Sequence, residues 1–122
     1  MNSFKLIPLI LATLLLTYCS INKKADCENG NWQEQGFRDA TQGYGKDKFT
    51  HRKEACLKQS FTTDEAFYWK GYEQGLQRFC NFKSGYEYGK KGKKYRDTCP
   101  LELESEFYKG YMEGQKAEKS ED

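Results

Sequence analysis

Hydrophobic residues fall into two regimes along this chain. From Leu6 to Leu16 they are almost continuous, a run of eleven residues broken by Pro8. Beyond Cys19 the run gives way to apolar positions spaced three and four apart. Tyr68, Gly71, Tyr72, Gly75, Leu76 and Phe79 fall at i, i+3, i+4, i+7, i+8 and i+11, one stripe of an α-helix. Leu103, Phe107, Gly110, Tyr111 and Gly114 repeat the pattern, as do Phe82, Gly85, Tyr86 and Gly89; Trp32, Gly36, Phe37 and Ala40 give a shorter version. The spacing predicts helices over 31–42, 47–59, 63–79, 82–91 and 100–117.

The stripes share a unit, Gly-aromatic-x-x-small, that occurs four times: Gly36 to Ala40, Gly71 to Gly75, Gly85 to Gly89 and Gly110 to Gly114. A mid-helix glycine costs about 1 kcal/mol relative to alanine. Glycines placed within the apolar stripe therefore point to backbones in close approach, with neighbouring rings filling the gaps. Boundary signals agree. Asn31 three residues before Glu34, and Thr62 three before Glu65, have the form of capping boxes. Pro100 suits a first helical position, and Glu102, Glu104 and Glu106 sit in the early turns that the dipole favours for acids. Gly43, Gly45 and Gly92 fall in breaks, and Lys116 to Asp122 reads as a frayed polar end.

The first run is too short to span a bilayer, which needs about 20 apolar residues. With Lys5 before it and Asn22, Lys23, Lys24 and Asp26 after it, the run has the layout of a secretion signal. Leu16-Thr17-Tyr18-Cys19 closes it in the manner of a lipoprotein processing site, although Tyr18 stands where a small residue is usual. Residues 1–18 are thus expected to be a signal peptide and 19–29 an acylated N-terminus and tether. Residues 30–117 form a single helical domain and 118–122 a polar tail. Cleavage at an ordinary signal site nearby, or retention as an uncleaved anchor, are the alternatives. Several acyl chains on Cys19 hold a protein on a membrane stably. Ser20, not Asp, follows Cys19, which favours the outer membrane, facing the periplasm.

Composition bears on the core. From Cys19 onward there is no valine, one isoleucine (Ile21), four leucines and one methionine, with 19 basic against 18 acidic residues. Aliphatic side chains are too few to build a core, and a sheet fold is poorly supported. Aromatics must carry it: Trp32, Phe37, Phe67, Tyr68, Trp69, Tyr72, Phe79, Phe82, Tyr86, Phe107 and Tyr111. Of five cysteines, Cys19 is assigned to the lipid, which leaves Cys27, Cys56, Cys80 and Cys99 to pair in an oxidising compartment. Three connectivities are open; the sequential one, Cys27 with Cys56 and Cys80 with Cys99, encloses compact segments. No C-x-x-C pair exists and His51 is the single histidine, so no metal site is expected. The expected fold is all-α, a small disulfide-stapled domain with an aromatic core; a loop-rich disulfide scaffold with two or three helices is the alternative.

Little catalytic chemistry is visible. His51 lies in the polar stretch Thr50 to Glu54, Ser60 and Ser84 lack a nucleophile-elbow context, and Glu73, Glu87 and Glu113 recur as a solvated helix face. The chain reads as a non-enzyme without a cofactor. Its best binding candidate is the cationic run Lys90, Lys91, Lys93, Lys94 and Arg96, which must attract anions. Near-neutral total charge and an exported location argue against nucleic acid.

From Tyr68 to Gly114 the chain carries Gly71-Tyr72-x-x-Gly75-Leu76, Phe79-Cys80, Gly85-Tyr86-x-x-Gly89, Tyr95, Cys99-Pro100 and Phe107-x-x-Gly110-Tyr111. With Cys27, Trp32, Gly36 to Ala40 and Cys56 ahead of them, these elements resemble a family of small Gram-negative lipoproteins classed as a domain of unknown function. The likeness covers about residues 27–114 and departs at Tyr18 and at Ala40, where glycine is usual. It implies an envelope location and four structural cysteines, and no activity. Two functions follow as expectations. One is a structural or adaptor protein that docks another envelope protein through its aromatic and glycine-lined surface. The other is a module for an anionic or sugar ligand, peptidoglycan or lipopolysaccharide, with exposed rings stacking on sugars. Burial of Trp32, Trp69 and the repeat tyrosines would remove the main support for sugar stacking.

Overall fold

In the computed structural model, residues 26–120 are described; the expected signal peptide and Cys19 lie outside them. Five helices follow a helical stretch at residues 26–28: α1 Trp32–Thr41, α2 Asp47–Leu57, α3 Glu65–Phe79, α4 Phe82–Lys90 and α5 Leu101–Ser120. There is no strand among the described residues. The all-α expectation holds, and each helix lies within a few residues of its predicted place. Asn31 caps α1 by accepting from the Glu34 N–H (3.2 Å), as anticipated. At α3, however, Asp64 does the capping expected of Thr62, accepting from the Phe67 N–H, because a carboxylate one step from the first turn is the better acceptor there. Helix α5 begins one residue after Pro100 and continues to Ser120. The end expected to fray is therefore helical, and Glu118 is brought against Gly92. Residues 26–28, placed by expectation in the tether, are helical, with Cys27 buried and bonded to Cys56.

The helices pack in two pairs, α1 with α3 and α4 with α5. Glycines make both interfaces. A methyl on Gly36 would strike the Tyr68 carbonyl, and one on Gly71 the Gln33 carbonyl; the partner carbonyl in each case belongs to the residue three before the opposing glycine. The second pair repeats this reciprocity twice, Gly85 with Phe107 and Gly110 with Phe82, then Gly89 with Tyr111 and Gly114 with Tyr86. Each carbonyl lies where a Cβ would be, along the direction of a glycine Cα–H, the arrangement of a Cα–H···O contact between helices. Ala40 takes the place of the fourth glycine in the first pair, and a methyl on Gly75 would meet its Cβ at 2.7 Å. Close backbone approach, inferred from the glycine stripes, is what the glycines provide.

The two pairs are built alike. Helices α1 and α4 both end in a left-handed glycine, Gly43 (φ 77°) and Gly92 (φ 63°). Around each, the next N–H bonds back five residues, Tyr44 to the Asp39 carbonyl and Lys93 to the Tyr88 carbonyl, while the glycine N–H reaches Ala40 and Gly89. Both are Schellman caps, which glycine closes without steric cost. A tyrosine from the partner helix then locks each cap: Tyr72 Oη donates to the Tyr44 carbonyl (2.7 Å) and Tyr111 Oη to the Lys93 carbonyl (2.9 Å). The chain is one helical hairpin unit built twice, with α2 inserted in the first copy only.

Two disulfides complete the domain, Cys27–Cys56 and Cys80–Cys99. The first fixes residues 26–28 to α2. The second joins the end of α3 to the start of α5, and thus one unit to the other, beside the ring contacts of Phe79 with Tyr88 (5.4 Å) and Phe107 (4.8 Å). Core assignments hold for Trp32, Tyr68, Tyr72, Phe79, Phe107 and Tyr111, while Phe37, Trp69 and Tyr86 are half-buried. Phe67 is 52% exposed and Phe82 is also exposed. Phe67 lies one residue off the stripe, and at Phe82 it is the backbone carbonyl that meets the opposing glycine. Phe49, on the inserted α2, is buried against Tyr68 (4.6 Å) and Trp69 (5.2 Å). Among the described residues, both disulfides and the hydrophobic core lie within residues 27–111, so a chain beginning at Ser20 keeps both disulfides and that core.

Candidate functional site

Where the two hairpin units meet, the surface sinks into a groove of about 600 Å³. Its walls come from the ends of α1 (Thr41, Gln42) and α3 (Arg78, Phe79), from α4 (Asn81 to Tyr88) and from the segment after it (Lys91, Lys93). Local chemistry positions these groups. Asn81 caps α4, accepting from the Ser84 N–H (3.0 Å) and donating to the Arg78 carbonyl (2.8 Å), which fixes the turn between α3 and α4. Lys91 is the C-cap of α4 and Gly92 turns the chain, so that Lys93 returns over the Tyr88 ring with Nζ 5.3 Å from its centre. Arg78 and Lys91 sit at helix C-termini, where the dipole favours a cation. Burial pushes the Tyr88 phenol above its ordinary pKa.

Charge is the property that distinguishes the groove. Arg78, Lys83, Lys91 and Lys93 line it against a single carboxylate, Glu87, and none of the four is ion-paired among the described residues. The cationic run is thus only partly assembled into a site. Lys91 and Lys93 join the groove; Lys90 ends α4, Lys94 is exposed in the following loop, and Arg96 lies over the Tyr44 ring (5.7 Å). Arg78 and Lys83 lie outside the run, and nothing in their spacing marks them. They reach the groove because the unit junction folds α3 back beside α4.

A second polar centre is buried beneath α2. Asp39, 1% exposed, accepts a forked pair of hydrogen bonds from Arg52 (2.7 and 2.8 Å) and a third from Tyr68 Oη (2.8 Å). The bond to Asp39 raises the Arg52 pKa further, and burial followed by the Asp39 contact raises that of Tyr68. Charge-assisted, bidentate contacts of this kind are strong and directional. All three groups are consumed by one another, which makes this a joint for the inserted helix. At the matching place in the second unit stands Tyr88 beside Phe107, without an inserted helix. Asp39 lies inside a repeat element, but its partner on α2 cannot be found from the repeat.

Other candidates resolve plainly. His51 has 72% of its side chain exposed and meets only Asp47, at 4.0 Å. The described residues contain no group of three or more residues of metal-ligand type that could hold an ion, and no helix among them is long and apolar enough to cross a membrane. The glycine-lined faces expected to dock a partner are occupied by the chain's own helices. Of the rings expected to stack on sugars, Trp32 (8% exposed), Tyr72 and Tyr111 are core, while Trp69 and Tyr86 are half-buried.

A family described as a protein of unknown function (DUF2799) matches residues 31–116, most of the chain, and the chain belongs to that family. No curated protein and no solved structure matches it.

Proposed function

We propose that this member of the unknown-function family is a non-catalytic binding module of the cell envelope, tethered by a lipid on Cys19 to the outer membrane and engaging an anionic envelope partner through the groove at its unit junction. The observation that carries this reading is the set of four cations, with no ion pair among the described residues, around one carboxylate in a groove of about 600 Å³. Uncompensated charge inside a concave wall focuses the field and raises local anion concentration. The adaptor expectation is narrowed to this surface, because the aromatic and glycine faces are spent inside. Disulfides take four of the five cysteines, which leaves Cys19 for the lipid.

Two measurements test the reading. Mass spectrometry of the processed protein is expected to find an acylated Cys19 at the N-terminus; a mature terminus elsewhere without lipid would remove the anchor. A photocrosslinker placed at Ser84, on the groove wall, is expected to capture an envelope component in intact cells that one placed at exposed Lys58 does not.

A further inference from the structure

The groove contains more information than its sign. Its cations come from three separate segments, Arg78 from the end of α3, Lys83 from the first turn of α4, and Lys91 with Lys93 from the turn that closes α4. Arg78 offers a planar fork of donors and the lysines offer compact point charges. The Ser84 and Gln42 side chains, on opposite walls, make no hydrogen bond among the described residues and add neutral donors. Glu87 leaves an excess of three positive charges on this wall. A carboxylate supplies one negative charge and two acceptor oxygens, and it under-fills such a set. A phosphate monoester carries about −1.5 to −2 at neutral pH with three acceptor oxygens, and it matches. The volume, about 600 Å³, also exceeds what an isolated phosphate occupies, leaving room for the group esterified to it.

Resting on the anion-binding reading above, we propose that the groove is a phosphate-ester site, with Arg78, Lys83, Lys91 and Lys93 holding the phosphoryl oxygens and Ser84 and Gln42 hydrogen-bonding the ester or its substituent. The reach of the chain fits a ligand on a surface. Asp26 and Gln42 line one cavity, and Gln42 also lines the groove. Asp26 is seven residues from Cys19, a distance of at most about 25 Å when extended. A lipid on Cys19 would therefore keep the groove within reach of headgroup phosphates and of phosphorylated glycans beside them.

The test uses a disulfide-oxidised chain beginning at Ser20 and matched probes, glucose 1-phosphate and glucuronate. Glucose 1-phosphate is expected to shift the Gln42 and Ser84 amide resonances and to bind at least about tenfold more tightly than glucuronate. The pair Lys83→Gln with Lys91→Gln is expected to weaken it by about tenfold or more, whereas Lys58→Gln with Lys70→Gln, removing equal charge elsewhere, leaves affinity within about twofold. Equal affinity for glucuronate overturns the phosphate assignment and leaves anion binding standing. Equal loss in the two variant pairs, or no binding of either probe, overturns the site itself. A sedimentation arm separates the sources: vesicles of phosphatidylcholine with and without phosphatidic acid, whose headgroup is a phosphate monoester. Retention that depends on phosphatidic acid and on Lys83 and Lys91 assigns a lipid headgroup; glucose 1-phosphate binding without retention assigns a phosphorylated glycan.

Discussion

Replacing Gly110 by alanine tests the central packing argument, because two well-known effects oppose each other there. At an unconstrained helical site the change stabilises by about 1 kcal/mol. At Gly110 the new methyl would strike the Phe82 carbonyl oxygen and lie 2.9 Å from both the Phe82 carbonyl carbon and the Tyr86 nitrogen, all of them backbone atoms that no rotamer change can move. Helices α4 and α5 must part by about 1 Å at this point. Overpacking of that kind costs about 1–3 kcal/mol, and parting weakens the reciprocal Cα–H···O contacts of Gly110 and Gly85, at about 0.5–1 kcal/mol each. The net expectation is a loss of about 2–3 kcal/mol, a fall in Tm of roughly 10–20 °C for a domain of this size. Urea unfolding of the oxidised protein, followed by circular dichroism, should show a lower midpoint with unchanged m. Gly85→Ala should cost about as much, and the double variant clearly less than the sum, since one separation admits both methyls. A Gly110→Ala protein more stable than the parent would refute the interlock.

Three further outcomes follow. Arg52→Met should cost about 3–5 kcal/mol at neutral pH, because it strands the buried Asp39 carboxylate, whereas Asp39→Ala should cost less, since the half-exposed Arg52 head can turn to water; chemical denaturation of the two variants checks the order. The pH dependence has a defined sign: burial holds the Tyr72 and Tyr95 phenols at about 12, so unfolded tyrosines lose protons first, near 10, and stability present below pH 10 should drain away between pH 10 and 12. Circular dichroism should change together with the phenolate absorbance of Tyr72 and Tyr95, isolated by difference from Tyr72→Phe and Tyr95→Phe variants, and either of these two titrating at pH 10 in a still-folded protein would contradict the burial. Cys80→Ala with Cys99→Ala should cost about 3 kcal/mol on the loop-entropy estimate, and unfolding monitored separately in α1 and α5 should then lose its coincidence, because the staple joining the two units is gone.

What could be read from the residues was whatever repeats locally. Glycine and aromatic spacing carried the helices and the close approach, since a helical stripe is written every three or four residues. Asn31 announced its cap, and the cysteine pairing fell within the three possibilities. What escaped was long-range. Asn81 caps α4 with no acid three residues later to flag it. Phe49 is core because α2 lies across the first unit, and α2 carries no glycine stripe. Asp39 and Arg52 meet 13 residues apart through the path of the intervening turn. The groove was half legible: Lys91 and Lys93 belong to a visible charge run, whereas Arg78 and Lys83 acquire their role only from the fold of the junction.

The duplicated architecture explains why the groove lies at the junction. Within each unit the faces are matched: glycine against carbonyl, tyrosine hydroxyl against cap, ring against ring. A unit interface so complete leaves no room for a ligand without breaking backbone contacts. Between the units the matching is looser. It rests on Cys80–Cys99 and on the rings of Phe79, Tyr88 and Phe107, and the turn from α3 to α4 passes through only Cys80 and Asn81. So short a link folds the end of α3 against the start of α4, and with them Arg78 and Lys83, while Lys91 and Lys93 come from the far end of α4. In the first unit the cap after Gly43 is followed by α2, whose Arg52 meets the carboxylate of Asp39. In the second no helix is inserted, Tyr88 stands in place of that acid, and Lys91 and Lys93 make no ion pair among the described residues. Positive charge is left over where the second copy lacks what the first was given, and that remainder lines the groove.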